Sequence, residues 1–577
     1  MLPLLFALLM TAAAPAVAND DPAPVRASPG GASAPRSTAV PSGPPGSARA
    51  GAPAAMAPAE PGGVLLGAAN AVSIGGLNKP NVAPISTANA AGATIGAANA
   101  LSNAGAPPAP PRGTVLDGPT LVPIALGGGA SLDSLDPATL ATVLRHAQGG
   151  ALMDIAGEPR CAITIHTLRY QTVGGHGEPT DASSVVMLPS GADPACRGPR
   201  PVLLYAHGTV LDKQFSMARL NGEARLVAAM FVAQGFIVVA PDYAGYGASS
   251  LPYHPYLNAE QQAGDMLDAL RAAREVYAQL GVRAAPRLFL SGYSQGGFVA
   301  LATQRLIERD FAAEFPLVAV AGMSGPYALL QMGDGIFGGQ PLLGGTAYLP
   351  LVTTSGQRAG AALYANPAEL YEPDYAAGIE ALLPGAQRFD ELVRQGRLPS
   401  GALFALDSQP QGQGAAAFFA AHNLVRSSYR QAYLADMAAH PCGAEPVEPA
   451  ACQAGNGLRR WLARNDLRSY RPRAALLLCG GGDDPVVPFA NASAAQRYFS
   501  ARGAAPLLLD LEAADAAAPA SWLAARAGFA KAKERVRAEA RDKGRDPAKA
   551  VADMYHGRLA AQYCVRAARD FFLKAMP

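Results

Sequence analysis

Ser294 lies between two glycines, in a G-x-S-x-G pattern over residues 292–296. An apolar run at 288–290 predicts a short buried strand before it, and residues 298–302 can continue as a helix after it. A strand–serine–helix turn is sterically crowded, and glycines two places before and after the serine remove the Cβ atoms that would clash. The Ser294 hydroxyl is then exposed at the end of the strand as a candidate nucleophile. The alternative is a glycine-rich turn whose only role is close packing.

A serine hydroxyl is a poor nucleophile unless a base takes its proton, and the base needs an acid to orient it. The order expected around such a turn is serine, then aspartate or glutamate, then histidine. Residues 480–488 follow an apolar run, and Asp484, directly before Pro-Val-Val-Pro, is the candidate acid. Asp483 is the alternative, and otherwise it caps the loop. His556 is the only histidine after Asp484, so it is the candidate base by position and by elimination.

Acyl transfer also needs hydrogen-bond donors for a developing oxyanion. One expected donor is the backbone N–H of Gln295, the residue after the nucleophile. The other is expected in the loop after the apolar run at 201–206, where the N–H of Thr209 is the candidate. His207 in this loop resembles a catalytic base, but it precedes the serine, and we interpret it as a residue that shapes the loop.

The strands and helices that position these residues can be read from the chain, where apolar runs alternate with segments of helical periodicity. This alternation favours a parallel sheet with crossover helices. The runs are 162–168, 184–189, 201–206, 236–240, 288–290, 317–322, 474–479 and 506–511. The alternation stops after Pro326. Residues 327–472 are rich in Gly, Pro and Tyr, with helical pieces near 364–396 and 414–440, and we interpret them as a cap inserted over the site. A charged helical excursion over 528–550 precedes a C-terminal helix at 557–573.

Five motifs together resemble the α/β-hydrolase superfamily, and within it most closely the secreted lipases and esterases with a large cap. They are His207-Gly208, Pro-Asp-Tyr-Ala-Gly-Tyr-Gly at 241–247, Gly-Tyr-Ser-Gln-Gly at 292–296, Asp-Pro-Val-Val-Pro at 484–488 and His556-Gly557. The pattern at 292–296 is also similar to the cutinase elbow, although cutinases are much smaller and lack such a cap. The resemblance implies an α/β-hydrolase fold, a mostly parallel sheet flanked by helices, with a large, mainly helical cap insertion. It also implies ester hydrolysis through an acyl-enzyme, without a cofactor.

The chain divides into five segments by composition and pattern. Residues 1–18 are expected to be a signal peptide, because an apolar core is followed by the small-x-small cleavage site Ala16-Val17-Ala18. Such a peptide predicts a secreted or periplasmic protein. An Ala-, Pro- and Gly-rich segment follows, with too little apolar surface to offset chain entropy, so we expect disorder there. We expect five segments: the signal peptide at 1–18, a disordered segment at 19–112, the first part of the α/β-hydrolase core at 113–326, the cap at 327–472 and the second part of the core at 473–577.

The composition narrows the partners. A formal net charge of +2 gives no basis for binding nucleic acid. The apolar run near the start is too short to span a bilayer, and no transmembrane segment is expected. The eight histidines show no metal-ligand spacing, so no metal is expected. The expected partner is an ester substrate, either a small molecule or a lipid or polyester.

Six cysteines in an exported chain suit three disulfides, although six allow fifteen pairings. Cys161 and Cys196 bracket two strands that a hairpin would bring together. Cys442 and Cys452 enclose a short loop in the cap. Cys479 and Cys564 would tie the loop of the acid to that of the base. The alternative for Cys479 is a buried small hydrophobe in a core strand.

Three functions remain open at this stage. The first is a serine carboxylic-ester hydrolase, in which a cap with Tyr327, Tyr348, Tyr364, Tyr371 and Tyr375 supplies an apolar and aromatic pocket for the acyl or alcohol group. The alternative is that these tyrosines form only the core of the cap. The second is a serine peptidase on the same fold, for which no clear acidic pair to hold a peptide amine is present. The third is a non-catalytic adhesion or binding protein, against which the Ser-Asp-His set argues.

Overall fold

The computed structural model describes residues 109–127, 130–146, 151–410, 417–442 and 448–576. The expected signal peptide and all of the 19–112 segment except its last four residues lie outside the described residues. Arg112, at the end of that segment, forms an ion pair of 2.9 Å with the buried Asp268. This arginine therefore belongs to the folded part of the chain.

A nine-stranded sheet organises the fold, in the order β1-β4-β5-β7-β6-β8-β9-β10-β11. Six neighbouring strands, in the spatial order β7-β6-β8-β9-β10-β11, pair in parallel. Strands β5, β4 and β1 extend the sheet beyond β7 by antiparallel pairing. Strands β2 and β3 form a separate antiparallel pair. The strands are β1 (Val115–Leu121), β2 (Ile124–Gly127), β3 (Ala130–Leu132), β4 (Ala162–Val173), β5 (Pro179–Ser190), β6 (Arg200–Ala206), β7 (Ile237–Pro241), β8 (Ala284–Tyr293), β9 (Leu317–Met323), β10 (Ala475–Gly480) and β11 (Leu507–Asp510).

Helices cover both faces of this sheet. Side chains alternate along each strand, so Leu288 and Leu290 join one apolar cluster while Phe289 joins the other. Helices α4 and α5 pack in the first cluster, and α3 and α15 in the second. The helices are α1 (Pro137–His146), α2 (Ala151–Ala156), α3 (Gly222–Met230), α4 (Ala259–Val276), α5 (Gln295–Leu306), α6 (Leu329–Phe337), α7 (Gly345–Arg358), α8 (Pro373–Ala376), α9 (Phe389–Arg394), α10 (Ser427–Ala439), α11 (Gly457–Arg464), α12 (Ala490–Ala501), α13 (Ala520–Asp542), α14 (Pro547–Met554) and α15 (Ala561–Ala575).

The strand order reverses at β6, which lies between β7 and β8. In open sheets of this kind ligands bind outside the carboxyl ends of the strands, at the position where the order reverses. The pairing of Ala206 with Gly292 aligns the carboxyl ends of β6 and β8. The loops that follow these two strands, at 207–209 and at 294, are therefore neighbours.

The described part of 327–472 adds no strand to the large sheet and is mainly helical. It differs from the expectation at its start, because α6 and α7 form where no helix was predicted. The glycines in and after α6, and Pro350 inside α7, oppose helix formation locally. Burial of Leu329, Leu330 and Leu351 stabilises these helices through tertiary packing instead.

Three disulfides join the pairs proposed from the sequence. The Cα atoms are 5.5 Å apart in Cys161–Cys196, 5.3 Å in Cys442–Cys452 and 5.6 Å in Cys479–Cys564. The third disulfide links β10, which leads to Asp484, to the helix that follows His556. No helix within the described ranges combines the length and the apolar character that crossing a membrane requires.

Candidate active site

Ser294 occupies the turn between β8 and α5, with a backbone φ of 58°. This left-handed conformation is strained for a residue with a side chain, and it lifts the serine out of the line of the strand. A Cβ at Gly292 would collide with the Gly296 carbonyl, and one at Gly296 would collide with the Ala206 carbonyl. The two glycines are therefore a steric requirement of the turn, as the sequence pattern predicts.

The side chains of Ser294, His556 and Asp484 form one hydrogen-bonded series. His556 Nε2 lies 2.8 Å from Ser294 Oγ, and His556 Nδ1 lies 2.7 Å from Asp484 Oδ2. His556 and Asp484 are buried, with 8% and 6% of their surfaces exposed. Because Asp484 accepts the Nδ1–H, the unprotonated Nε2 of a neutral imidazole faces the serine hydroxyl. The series can therefore take the proton of Ser294 as its oxygen attacks.

The loop after β10 distinguishes the two adjacent aspartates. Asp484 Oδ1 accepts hydrogen bonds from the backbone N–H groups of Val486, at 2.9 Å, and Val487, at 3.1 Å. These bonds direct the other carboxylate oxygen towards His556. The Asp483 side chain is exposed, and among the contacts of the described residues none joins it to His556.

His556 belongs to a π-helical turn, Tyr555–Ala560, between α14 and α15. The expected position was a loop before a helix starting at 557, so the helical structure begins earlier than predicted. Such turns bulge out of a helix and frequently occur at functional sites. Tyr293, the residue before the serine, donates a hydrogen bond of 2.5 Å from its hydroxyl to the His556 carbonyl. The turn that carries Ser294 thus also holds the backbone of His556.

The two expected oxyanion donors border the pocket beside Ser294. Gln295 is the first residue of α5, so its N–H has no acceptor within the helix. Thr209 follows β6 in the neighbouring loop, and its hydroxyl lies 2.8 Å from that of Tyr256. The His207 ring contacts the Gly208 carbonyl in this loop and the Asp242 carbonyl after β7, and the described contacts do not join it to Ser294.

The side chain of Gln295 is held by His254. His254 Nδ1 lies 2.9 Å from the Ala244 carbonyl, which requires a proton on Nδ1. Its unprotonated Nε2 then accepts a hydrogen bond of 2.7 Å from Gln295 Nε2. Burial lowers the pKa of His254 to about 3, which keeps the ring neutral. His254 therefore positions the residue whose N–H is an expected oxyanion donor.

A pocket begins at Ser294 and extends under 327–472, with about 780 Å³ of empty space, part of which is open solvent. No described residue that lines the pocket is charged. The polar residues in its lining are Ser294, Thr209, Tyr256, Gln295 and Tyr348. The rest of the lining is mostly aliphatic, with contributions from α6, α7 and α11 that include Leu329, Met332, Ile336, Leu349, Val352, Leu458 and Leu462.

The expected pocket is apolar, but the expected contribution of the five tyrosines to it is wrong, because only Tyr348 lines the cavity. The other four are core residues, as in the alternative: Tyr327, Tyr364, Tyr371 and Tyr375 are between 0% and 8% exposed. The last three also have hydroxyl partners within the segment, on Glu380, Thr353 and His422 respectively. Ring size and a polar tip suit the packing between short helices, so composition alone did not identify the pocket residues.

Comparison with known proteins supports the fold and a class of activity. A model of the Secretory lipase family matches residues 212–330. The ligand-bound rice cell wall degrading esterase LipA from Xanthomonas oryzae is 26% identical over 81% of this chain and 100% of its own, with a TM-score of 0.60. A hydrolase of unassigned role from Legionella pneumophila is 20% identical over 79% and 98%, with a TM-score of 0.54. No match was found among functionally curated proteins.

The predicted fold class is confirmed: the chain has the α/β-hydrolase fold, and it resembles the secreted lipases and esterases of that superfamily. The comparisons support a hydrolase of the lipase and esterase type. Two residues of the site, Tyr293 and His254, were missed from the sequence. Tyr293 stands inside the recognised motif, but nothing in the pattern predicts a bond to the carbonyl of a residue 263 positions away.

Proposed function

We propose that this α/β-hydrolase is a secreted or periplasmic serine esterase that cleaves carboxylic esters through an acyl-enzyme. The observation that carries the proposal is the hydrogen-bonded series Ser294–His556–Asp484, with separations of 2.8 and 2.7 Å. Three disulfides suit an oxidising compartment and so support export. The likeness to an esterase and to the Secretory lipase family supports the ester bond as the target.

In the proposed reaction Ser294 Oγ attacks the ester carbonyl while His556 Nε2 accepts the hydroxyl proton. Asp484 holds the imidazole in the tautomer that can accept this proton and stabilises the imidazolium that forms. The negative charge on the carbonyl oxygen is stabilised by the N–H groups of Gln295 and Thr209. His556 then protonates the leaving alcohol, and a water molecule activated by the same histidine hydrolyses the acyl-enzyme.

The lining of the pocket favours an apolar substrate group. Most of the lining is aliphatic, and its few polar members include Ser294 and the adjacent Gln295. An ester fits this lining, because its carbonyl meets Ser294 and Gln295 while a hydrocarbon acyl or alcohol group fills the apolar space. A peptidase that recognises a free amine would require a carboxylate in the lining, and no described lining residue has one. The serine peptidase is therefore the weaker candidate.

A direct assay separates these candidates. We expect the purified protein to hydrolyse p-nitrophenyl esters and to leave aminoacyl p-nitroanilides almost untouched. A fluorophosphonate probe should label the protein at Ser294, since it reacts with activated serines. Faster cleavage of the anilides would favour the peptidase, and a folded protein that neither reacts with the probe nor cleaves either substrate would favour a binding protein.

Narrowing the pocket should change the preference for acyl length. Ile336 on α6 lines the pocket, and Ile336→Trp would fill space that a long acyl chain needs. We expect kcat/KM for p-nitrophenyl decanoate to fall by about 10- to 100-fold. The acetate ester is the internal control, and its kcat/KM should stay nearly unchanged because the catalytic groups are untouched. An equal loss with both esters would show that the substituted side chain disturbs the site rather than the pocket.

A further inference from the structure

Glu223 has no role in the proposed reaction, yet it contacts the loop of an oxyanion donor. It lies in the first turn of α3, and one carboxylate oxygen accepts a hydrogen bond of 2.7 Å from the Tyr205 hydroxyl. The other accepts a bond of 3.1 Å from the backbone N–H of Gly208. Tyr205 is near the end of β6 and Gly208 follows it, so Glu223 ties this helix to the loop that carries Thr209.

The carboxylate is also close to the nucleophile. A Cβ placed on Gly208 would lie 3.3 Å from Glu223 Oε2 and 3.5 Å from Ser294 Cβ. Glu223 Oε2 and Ser294 are therefore both neighbours of Gly208.

The peptide groups on both sides of Gly208 are held by hydrogen bonds. Glu223 holds the Gly208 N–H, and His207 Nδ1 lies 2.7 Å from the Gly208 carbonyl oxygen. The bond between Gly208 and Thr209 is trans, so its carbonyl and its N–H point in opposite directions. With the carbonyl directed at His207, the Thr209 N–H points away from the His207 ring. Thr209 itself is one of the residues that line the pocket.

We propose that Glu223 is a positioning residue of the oxyanion hole, which holds the Gly208 N–H so that the next N–H, that of Thr209, faces the developing oxyanion. The inference rests on the proposed function, since only a reaction with an oxyanion needs this orientation. The role depends on the hydrogen-bond acceptor and not on a net charge. Glutamine can fulfil it, with the amide oxygen accepting from Gly208 and the amide nitrogen donating to the Tyr205 oxygen.

The electrostatic surroundings make glutamine a fair substitute. Desolvation raises the pKa of the Glu223 carboxyl to about 7, against the lowering effects of its two hydrogen bonds and of His556. The other titratable groups that face it, Tyr205, Tyr243 and Tyr293, have pKa values raised by burial and are neutral. The site therefore accommodates a neutral side chain of the same shape.

Three variants of Glu223 test the proposal by steady-state hydrolysis of a p-nitrophenyl ester. We expect Glu223→Ala to lower kcat by about 10²- to 10³-fold, the usual loss of one oxyanion donor, with little change in KM. Glu223→Asp withdraws the acceptor by one methylene and should also lower kcat, while Glu223→Gln should remain within about tenfold of the parent protein. Should the alanine variant fail to fold, the aspartate and glutamine variants carry the comparison.

Asp242 provides a matched control. It is a buried acid that, like Glu223, accepts hydrogen bonds from hydroxyl groups, among them that of Ser183, and from a backbone N–H, that of Met217. Asp242→Asn should lower the melting temperature and leave kcat nearly unchanged, so a general loss of stability can be recognised. Parent-like kcat in folded Glu223→Ala and Glu223→Asp would overturn the inference, and so would a Glu223→Gln variant as impaired as Glu223→Ala. A parent protein without ester hydrolysis would instead contradict the proposed function, and the inference with it.

Discussion

Ser294→Ala is expected to lower kcat for ester hydrolysis by about 10⁶-fold, the loss typical of removing a nucleophile that acts with a base and an acid. The substitution removes one oxygen atom, which lies 2.8 Å from His556 Nε2. Alanine meets the same backbone requirement as serine at a φ of 58°, so the turn should persist. The measurement is kcat with a p-nitrophenyl ester, together with a thermal unfolding curve for the variant and the parent protein.

The control for this prediction is the fluorophosphonate probe, which should label the parent protein and not the variant. A melting temperature close to that of the parent protein would show that the loss is chemical. Turnover near that of the parent protein in the folded variant would mean that another residue is the nucleophile.

Asp484→Asn is expected to lower kcat by about 10⁴-fold, because it imposes the wrong histidine tautomer. The asparagine oxygen would keep the bonds from the Val486 and Val487 N–H groups, which need an acceptor. Its amide nitrogen would then face His556 Nδ1 and donate to it. The imidazole proton would move to Nε2, which could no longer accept the proton of Ser294. The measurement is kcat across a range of pH values, and the deficit should persist at every pH tested.

Asp483→Asn is the matched control, since it makes the same chemical change one residue earlier. The Asp483 side chain is exposed, whereas Asp484 Oδ2 lies 2.7 Å from His556 Nδ1. We expect kcat of Asp483→Asn to stay near that of the parent protein. A larger loss in Asp483→Asn than in Asp484→Asn would assign the acid to the other residue.

The order of the candidate catalytic residues could be predicted because each lies in a segment with a local signal. The five-residue turn around Ser294 is too crowded for side chains at 292 and 296, so glycines mark it in the sequence. Asp484 and His556 were selected because the acid and then the base are expected after the serine along the chain. The structure brings these three side chains together, and their catalytic roles remain predictions that the variants above test. The fold class could be predicted in the same way, because buried strands and crossover helices each have a hydrophobic periodicity that is visible among residues close in the sequence.

Other features depended on contacts between distant segments. The lining of the pocket comes from α6, α7 and α11, and it is aliphatic where tyrosines were expected. Helices α6 and α7 themselves form against their local composition, because burial of their apolar faces outweighs helix propensity.

By itself, the sequence determined the serine turn, the order of the acid and the base, and a sheet with crossover helices, because these follow from steric and periodic requirements among neighbouring residues. Only the tertiary structure decided which side chains border the pocket and which groups contact the proposed oxyanion donors and their loop. Glu223 reaches Gly208 across 15 residues, and His254 reaches Gln295 across 41. No local rule selects such pairs, since a buried polar side chain can be satisfied by any partner that the packed chain brings within about 3 Å.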